Sequence, residues 1–395
     1  MGLSGHKHKK KGPRLFEPKE LTQDMDFASV VGRIRVAEEA FLGPEDIRFL
    51  SDKSGTYHER LDILHRAGYE GEGTFEDVIL RDRDRQDRVL SGLVGDTKLD
   101  LFLLLDLDYH NLKAILRYQK LEAIRLNVDT AGLYEEETSQ EGKAIDLPKS
   151  LRPLIRFTSP TDPQVLFEFI LQNMRERENM GPELRPVFQG HVCQVLNLAR
   201  VAADLSQVDL LADRLYFEEL WALTEDKANR HMKPILQDYV MMLADQANFE
   251  SYFRLRKSNR SKAYFEKVVV PHGYITWEDF SRAYGKEEEI EELFYASPIS
   301  ETFESFPPYE TGRDISNYGL NSDLLLCKLI GLGKHENMHA VAVMSYWLAK
   351  KMERKNLRIC HQILSRNLDP EKMRGMFRPT YPEMGLWRDD TWLMK

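Results

Sequence analysis

Apolar positions along this chain fall mostly at helical spacing. Phe27, Val30, Val31, Ile34 and Val36 recur three or four residues apart or close to it, which predicts one buried helix face. Residues 27–70 read as a set of helices. Within them Pro44, followed by Glu45 and Asp46, predicts a helix start, because proline is tolerated in the first turn and acids there favour the dipole. Residues 98–126 predict a longer helix with an apolar face at Leu101, Leu104, Leu105, Leu112, Ile115 and Leu116. The same periodicity returns over 151–262 and 277–365, the latter interrupted near Ser305-Phe306-Pro307-Pro308-Tyr309. Between those stretches, Val268 to Ile275 is β-branched with Pro271 and Gly273 inside, which predicts an extended turn.

The fold class that follows is all-α. The divisions are a mobile basic tail at 1–20, a first helical unit at 21–130, an acidic linker at 131–150, a second unit at 151–262, a third at 263–365 and a C-terminal tail at 366–395. The linker carries the run Glu135-Glu136-Glu137-Thr138-Ser139-Gln140-Glu141-Gly142, and Pro148 follows it. The C-terminal tail, from Pro370 onward, holds three prolines and two tryptophans, as an arm lying on a surface would.

Composition narrows the function classes. A net charge of -9 argues against a nucleic-acid partner, since a phosphate backbone wants a basic surface. The 3 cysteines, Cys193, Cys327 and Cys360, form no CxxC pair, so neither a disulfide framework nor a cysteine zinc site is expected. The most apolar stretches, Leu99–Leu107 and Met338–Ala349, fall short of the roughly 18 to 20 residues a membrane helix needs. Any membrane contact is therefore expected to be indirect. There is no glycine-rich phosphate loop and no nucleophile elbow, and no cofactor is expected. The scattered histidines and the Tyr216, Phe217, Trp221 cluster read as ordinary surface and core positions.

One pattern recurs. Asp108, Asn111 and Arg117 have the same spacing as Asp245, Asn248 and Arg254: acid three before Asn, Arg six after it. A third copy, Glu353 and Asn356, keeps the acid and the apolar residue after Asn. Its arginine is at position 358, and Gln362 stands where the other copies have Arg. Acid and Asn three apart share a helix face. The arginine lies about 240° further round, at about 100° per residue. The pattern is thus no catalytic cluster. It reads as a helix whose acid and Asn bind a neighbouring backbone while the arginine faces elsewhere.

A rival chemistry sits at His335-Glu336-Asn337-Met338-His339, which matches the H-E-x-x-H zinc-protease helix. The extended form of that motif wants Gly and a third His where Ala342 and Ser345 stand. Glu353, the nearest downstream acid, would lie about 21 Å along the same helix and could not reach the metal. The expectation is therefore no catalytic, cofactor or metal site, with a zinc peptidase as a remote alternative through His335, Glu336 and His339.

Several segments resemble one family, the C subunits of the V/A-type (vacuolar/archaeal-type) rotary ATPases, known as d subunits in eukaryotes. They are the opening helix Phe27-Ala-Ser-Val-Val-Gly-Arg-Ile-Arg-Val-Ala-Glu-Glu-Ala-Phe-Leu42, an Asp46–Leu50 turn, the His65–Tyr69 segment and the helix of Asp108, Asn111, Leu112 and Arg117. Further on come Ala212-Asp-Arg-Leu-Tyr-Phe-Glu-Glu-Leu220 and the closing helix Tyr346–Ile359. The resemblance spans roughly 27 to 365. It implies three related helical domains about a pseudo-threefold axis, shaped as a funnel. It further implies a non-catalytic rotor component, peripheral on the cytoplasmic face of the membrane. Its partners would be the D and F subunits of the central stalk and the rotor ring of proteolipid subunits. It would couple ATP turnover or synthesis to proton or sodium transport. A helical-repeat scaffold for some other partner is the alternative.

Overall fold

The computed structural model describes residues 26–71, 73–94, 97–126, 146–175, 182–202, 204–303 and 315–384. Among these residues there are fifteen α-helices and no strand. The basic tail, the Glu135–Gly142 run, the Ser305–Tyr309 loop and the two terminal tryptophans lie outside the described residues. The chain gathers into two compact units, one of 98–226 and one of 1–97 with 227–395.

The unit of 98–226 is built on α5 (Leu99–Leu126), which packs against α6 (Pro163–Arg175) and α8 (Leu205–Thr224), while α7 (Pro186–Val201) packs on α6 and α8. The buried surface of α5 is wider than the single face expected. Phe102, Leu103 and Tyr109 are buried along with Leu104, Leu105, Leu112, Ile115 and Leu116, whereas Leu101 is half-buried. The cause is that two helices pack against it, so one stripe does not suffice.

In the other unit, α1 (Asp26–Glu38), α2 (Pro44–Ser51), α4 (Phe75–Ser91) and α13 (Ile315–Lys334) all pack on α14 (Val341–Ser365). Every residue from Val341 to Lys350 is buried. Local chemistry sets the helix starts. Pro44 opens α2, and the Asp46 carboxylate reaches back to accept the Gly43 amide at 2.9 Å. Thr56 with Glu59 and Thr74 with Asp77 go further and form reciprocal boxes at α3 (Tyr57–Arg66) and α4. Residues 46–50, read as a turn, belong to α2 instead. Once the cap is formed, Ile47 and Leu50 have a helical face to bury. Where α13 meets α14, the helices are so close that a Cβ at Gly333 would overlap the Ser345 side chain. Ser345 itself donates to the Leu329 carbonyl at 3.0 Å.

The rest of that unit is aromatic. α9 (Lys233–Lys257) sets Phe249 against Phe280 of α11 (Trp277–Ala283) at 4.8 Å between ring centres, and against Phe294 of α12 (Glu287–Ala296) at 5.3 Å. Phe265 of α10 (Lys262–Val268) stacks on Tyr284 at 4.7 Å. Such pairs add to the area they bury. The Val268–Ile275 stretch is the irregular connection from α10 to α11, with His272 at a φ of 68°. A short α15 (Pro370–Met373) opens the arm that follows α14. That arm runs to Met384, with Phe41 stacked on Tyr381 at 4.2 Å and the Lys334 ammonium donating to the Tyr381 and Met384 carbonyls.

Candidate functional site

The recurring helices α5, α9 and α14 each use Asn in the same way. Asn111 donates from Nδ2 to the Arg156 carbonyl at 2.9 Å and accepts the Arg156 amide at 2.8 Å. Asn248 does so with Val270 at 3.0 and 2.8 Å. Asn356 does so with Arg378 at 2.9 and 2.8 Å. In each case a carboxamide satisfies both polar groups of one residue in an irregular segment, which a buried loop requires. All three Asn are buried, as are the residues after them, Leu112, Phe249 and Leu357.

The acid one turn earlier binds a second point. Asp108 accepts the Thr161 amide at 2.9 Å and its hydroxyl at 3.0 Å. Asp245 accepts the Ile275 amide at 3.2 Å and the Ser297 hydroxyl. In both copies the second anchor falls five residues after the first, Arg156 to Thr161 and Val270 to Ile275. Glu353 departs from this: it accepts the Leu42 amide at 2.6 Å and the Tyr69 hydroxyl at 2.7 Å. A glutamate is one methylene longer and reaches back to the start of the chain instead.

The arginines do not belong to this site. Arg117 and Arg254 are exposed and pair with Asp209 and Glu250 on the surface, and Gln362 is exposed too. The cation that does meet Asp108 is Arg185, at 2.7 Å, which also holds Glu219 at 2.6 Å. Arg185 precedes Pro186, so its backbone is held extended at the head of α7. The Arg-Pro step before an apolar-periodic stretch was the available signal, but nothing local ties it to residue 108. Tyr109 completes the cluster, donating to Glu219 at 2.8 Å. Glu353 has its own cation, Lys350, at 2.7 Å.

Electrostatics separates the three acids. Burial pushes the Asp108 carboxyl up to about 6, although Arg185 and Thr161 pull against it. Burial pushes Asp245 higher, to about 7, since only neutral donors oppose it. Burial also acts on Glu219, but His191, Arg185 and Tyr109 outweigh it and hold that carboxyl below the usual range.

The His335–His339 segment does not form a helix. It is the turn between α13 and α14, with His335 exposed and His339 buried. His339 Nδ1 accepts the Val341 amide at 3.1 Å, so it caps α14. The shared helix face that would converge two imidazoles on zinc is therefore missing. Among the described residues no group of three His, Cys, Asp or Glu side chains is placed to hold a metal. A groove of about 1210 Å³ runs between α2 and the C-terminal arm, with Ile47, Phe49, Leu324 and Phe377 among its apolar lining and Arg48 and Arg374 among its charges.

The arrangement is that of a helical body whose irregular segments are pinned at repeated points. The pattern of the ATP synthase (C/AC39) subunit family matches residues 30–376. The chain belongs to that family, the C/d subunits of the V/A-type ATPases. No curated protein matches it. No helix among the described residues is long and apolar enough to cross a membrane.

Proposed function

We propose that the chain is a non-catalytic rotor component that couples the central stalk of a V/A-type ATPase to its membrane ion-carrying ring. The observation that carries this reading is the family match over 30–376. The clamps are the physical support. A part that passes torque must not yield where its helices give way to loops, and those are the places Asn111, Asn248 and Asn356 pin. The reading includes the D and F stalk subunits and the proteolipid ring as partners, and a peripheral position on the cytoplasmic face. It also includes three repeats about a pseudo-threefold axis, the repeating element being a clamped helix with the segment it holds. The groove beside α2 is a surface such a partner could use.

The test is capture of the tagged chain from gently solubilised native membranes that contain this ATPase, with partners identified by mass spectrometry. Near-stoichiometric stalk and ring proteins are expected. Recovery of other proteins alone would replace the rotor by a scaffold for a different partner.

A further inference from the structure

Two of the three clamping acids have a cation in contact, and the third does not. Asp108 has Arg185 and Glu353 has Lys350. Asp245 is fully buried, and among the described residues it meets only neutral donors: the Ile275 and Tyr274 amides and the Ser297 hydroxyl. The titratable residues of the turn are His272 and Tyr274, and the groups that set the Asp245 carboxyl's affinity for its proton are all neutral donors. Tyr274 of the turn donates its hydroxyl to Asp238, which is an acid on α9 itself. Ser297, at the end of α12, also receives the Ile299 amide at 3.4 Å. A buried carboxylate without a cation is costly, and protonation is the usual relief.

The cover over Asp245 is thin. Gly273 lies against Oδ1 so closely that a Cβ there would overlap it. The neighbouring His272 has a φ of 68°, in the left-handed region that a residue with a Cβ occupies at a cost. One end of this turn is fixed by the Asn248 clamp on Val270, and the other is held by Asp245 itself at Ile275.

We propose that a proton on Asp245 latches the 270–275 turn shut, and that loss of this proton lets the turn open about the Val270 anchor to hydrate the carboxylate. In the latched state Oδ2–H donates to Ser297 Oγ while Oδ1 accepts the Ile275 amide. In the unlatched state the O–H bond has broken, the proton has passed to a base in solvent, and Ser297 donates to Oδ2. The ionised group then gains most from water, and the half-buried Gly273 is the part of the cover that lies against Oδ1. The burial described above supports the direction, since it holds the proton on to about pH 7.

The experiment is native-state hydrogen exchange of the full chain, read on the 270–276 amides between pH 5.5 and 8.5 and corrected for intrinsic rates. With a closed-state value of about 7 against 3.8 for an open aspartate, the opening constant rises on the order of thirtyfold across that range. Asp245→Asn keeps an acceptor for Ile275 and cannot ionise, so its opening constant stays flat. The infrared difference between the unmodified chain and Asp245→Asn at pH 5.5 contains a protonated-carboxyl band, over and above any that Asp108 gives in both. Ser297 bonds the carboxyl in both forms but favours the ionised one, since a bond to a charge is the stronger, so Ser297→Ala moves the midpoint of opening to higher pH. A flat profile in the unmodified chain, the same slope in Asp245→Asn, no carboxyl band in that difference, or an unmoved midpoint in Ser297→Ala overturns the latch.

Discussion

Asn356 and Arg378 are joined twice, the carboxamide of one donating to the carbonyl of the other at 2.9 Å and accepting its amide at 2.8 Å. The pair ties the arm to α14. The arm is tied a second time through Arg378, whose guanidinium reaches Asp323 of α13 at 2.8 Å, while Lys355 of α14 meets the same carboxylate. A segment with no helix of its own beyond short turns thereby shares the stiffness of two long ones.

Replacing a clamp asparagine with alanine removes two hydrogen bonds at Asn248 or Asn356 and three at Asn111, whose Nδ2 also donates to Ser159, and leaves an amide and a carbonyl of the held segment unpaired. Each net bond contributes about 1 kcal/mol, and each orphaned group adds to the cost, so a loss of about 2–4 kcal/mol is expected. Asn356→Asp keeps the acceptor for the Arg378 amide but sets a carboxylate oxygen against the Arg378 carbonyl, and it should cost no less. Urea unfolding of the three variants checks this. Losses near zero would mean that water replaces the carboxamide and the clamps are incidental.

The asparagines were readable because acid and Asn recur at one spacing, and burial of both keeps that spacing fixed. Their partners were not, because each lies 45 or 22 residues further along in irregular chain, where no period links the two ends. Arg117 and Arg254 recur for a weaker reason. Their position is exposed in every copy, and any long polar side chain serves there. Arg185, which does meet the acid, is brought in by the fold alone. The H-E-x-x-H match presumes a helix, whereas the α13–α14 junction is a turn. Pro44 was legible because its effect is local. The resemblance that pointed to the family rests on the order of several helices, which survives even where one of them, 46–50, reads as a turn.

Two glycines in helices should respond to alanine with opposite signs. Gly190 in α7 has open space around its missing Cβ, so Gly190→Ala should stabilise by about 0.5–1 kcal/mol through helix propensity. Gly333 in α13 faces Ser345 and the Val341 carbonyl, so Gly333→Ala must push α13 and α14 apart, at about 1–3 kcal/mol. Thermal melts of the two variants side by side decide it. The same sign for both would mean that the close approach of α13 to α14 is softer than the geometry implies.

Arg185 should matter more than either motif arginine. Arg185→Met leaves Asp108 and Glu219 buried without their cation, a loss of about 3 kcal/mol, whereas Arg117→Met removes a surface pair and should cost less than about 1 kcal/mol. The loss depends on pH. Glu219 is held below the usual carboxylate range, so its contribution is present above the unfolded value and fades as pH falls through the lower folded one. Without Arg185 both carboxyls rise, and each is tolerated once protonated. The deficit of Arg185→Met should therefore be largest near pH 7 and shrink toward about pH 4. A deficit that stays constant or grows in acid would assign Arg185 a packing role only.

His335 and His339 provide the last contrast. If they were zinc ligands, either substitution would remove the metal, and the untagged chain would carry about one zinc. The geometry predicts instead that zinc after dialysis lies far below one per chain and that the two histidines differ. His335 is exposed in a turn, so His335→Ala should shift stability by less than about 0.5 kcal/mol. His339 is buried and accepts the Val341 amide at the head of α14, so His339→Ala should cost about 1 kcal/mol or more by uncapping that helix. Elemental analysis and denaturant melts are needed together. Stoichiometric zinc that both substitutions abolish would restore the peptidase reading, whereas a stability loss confined to His339 leaves the segment as a helix cap.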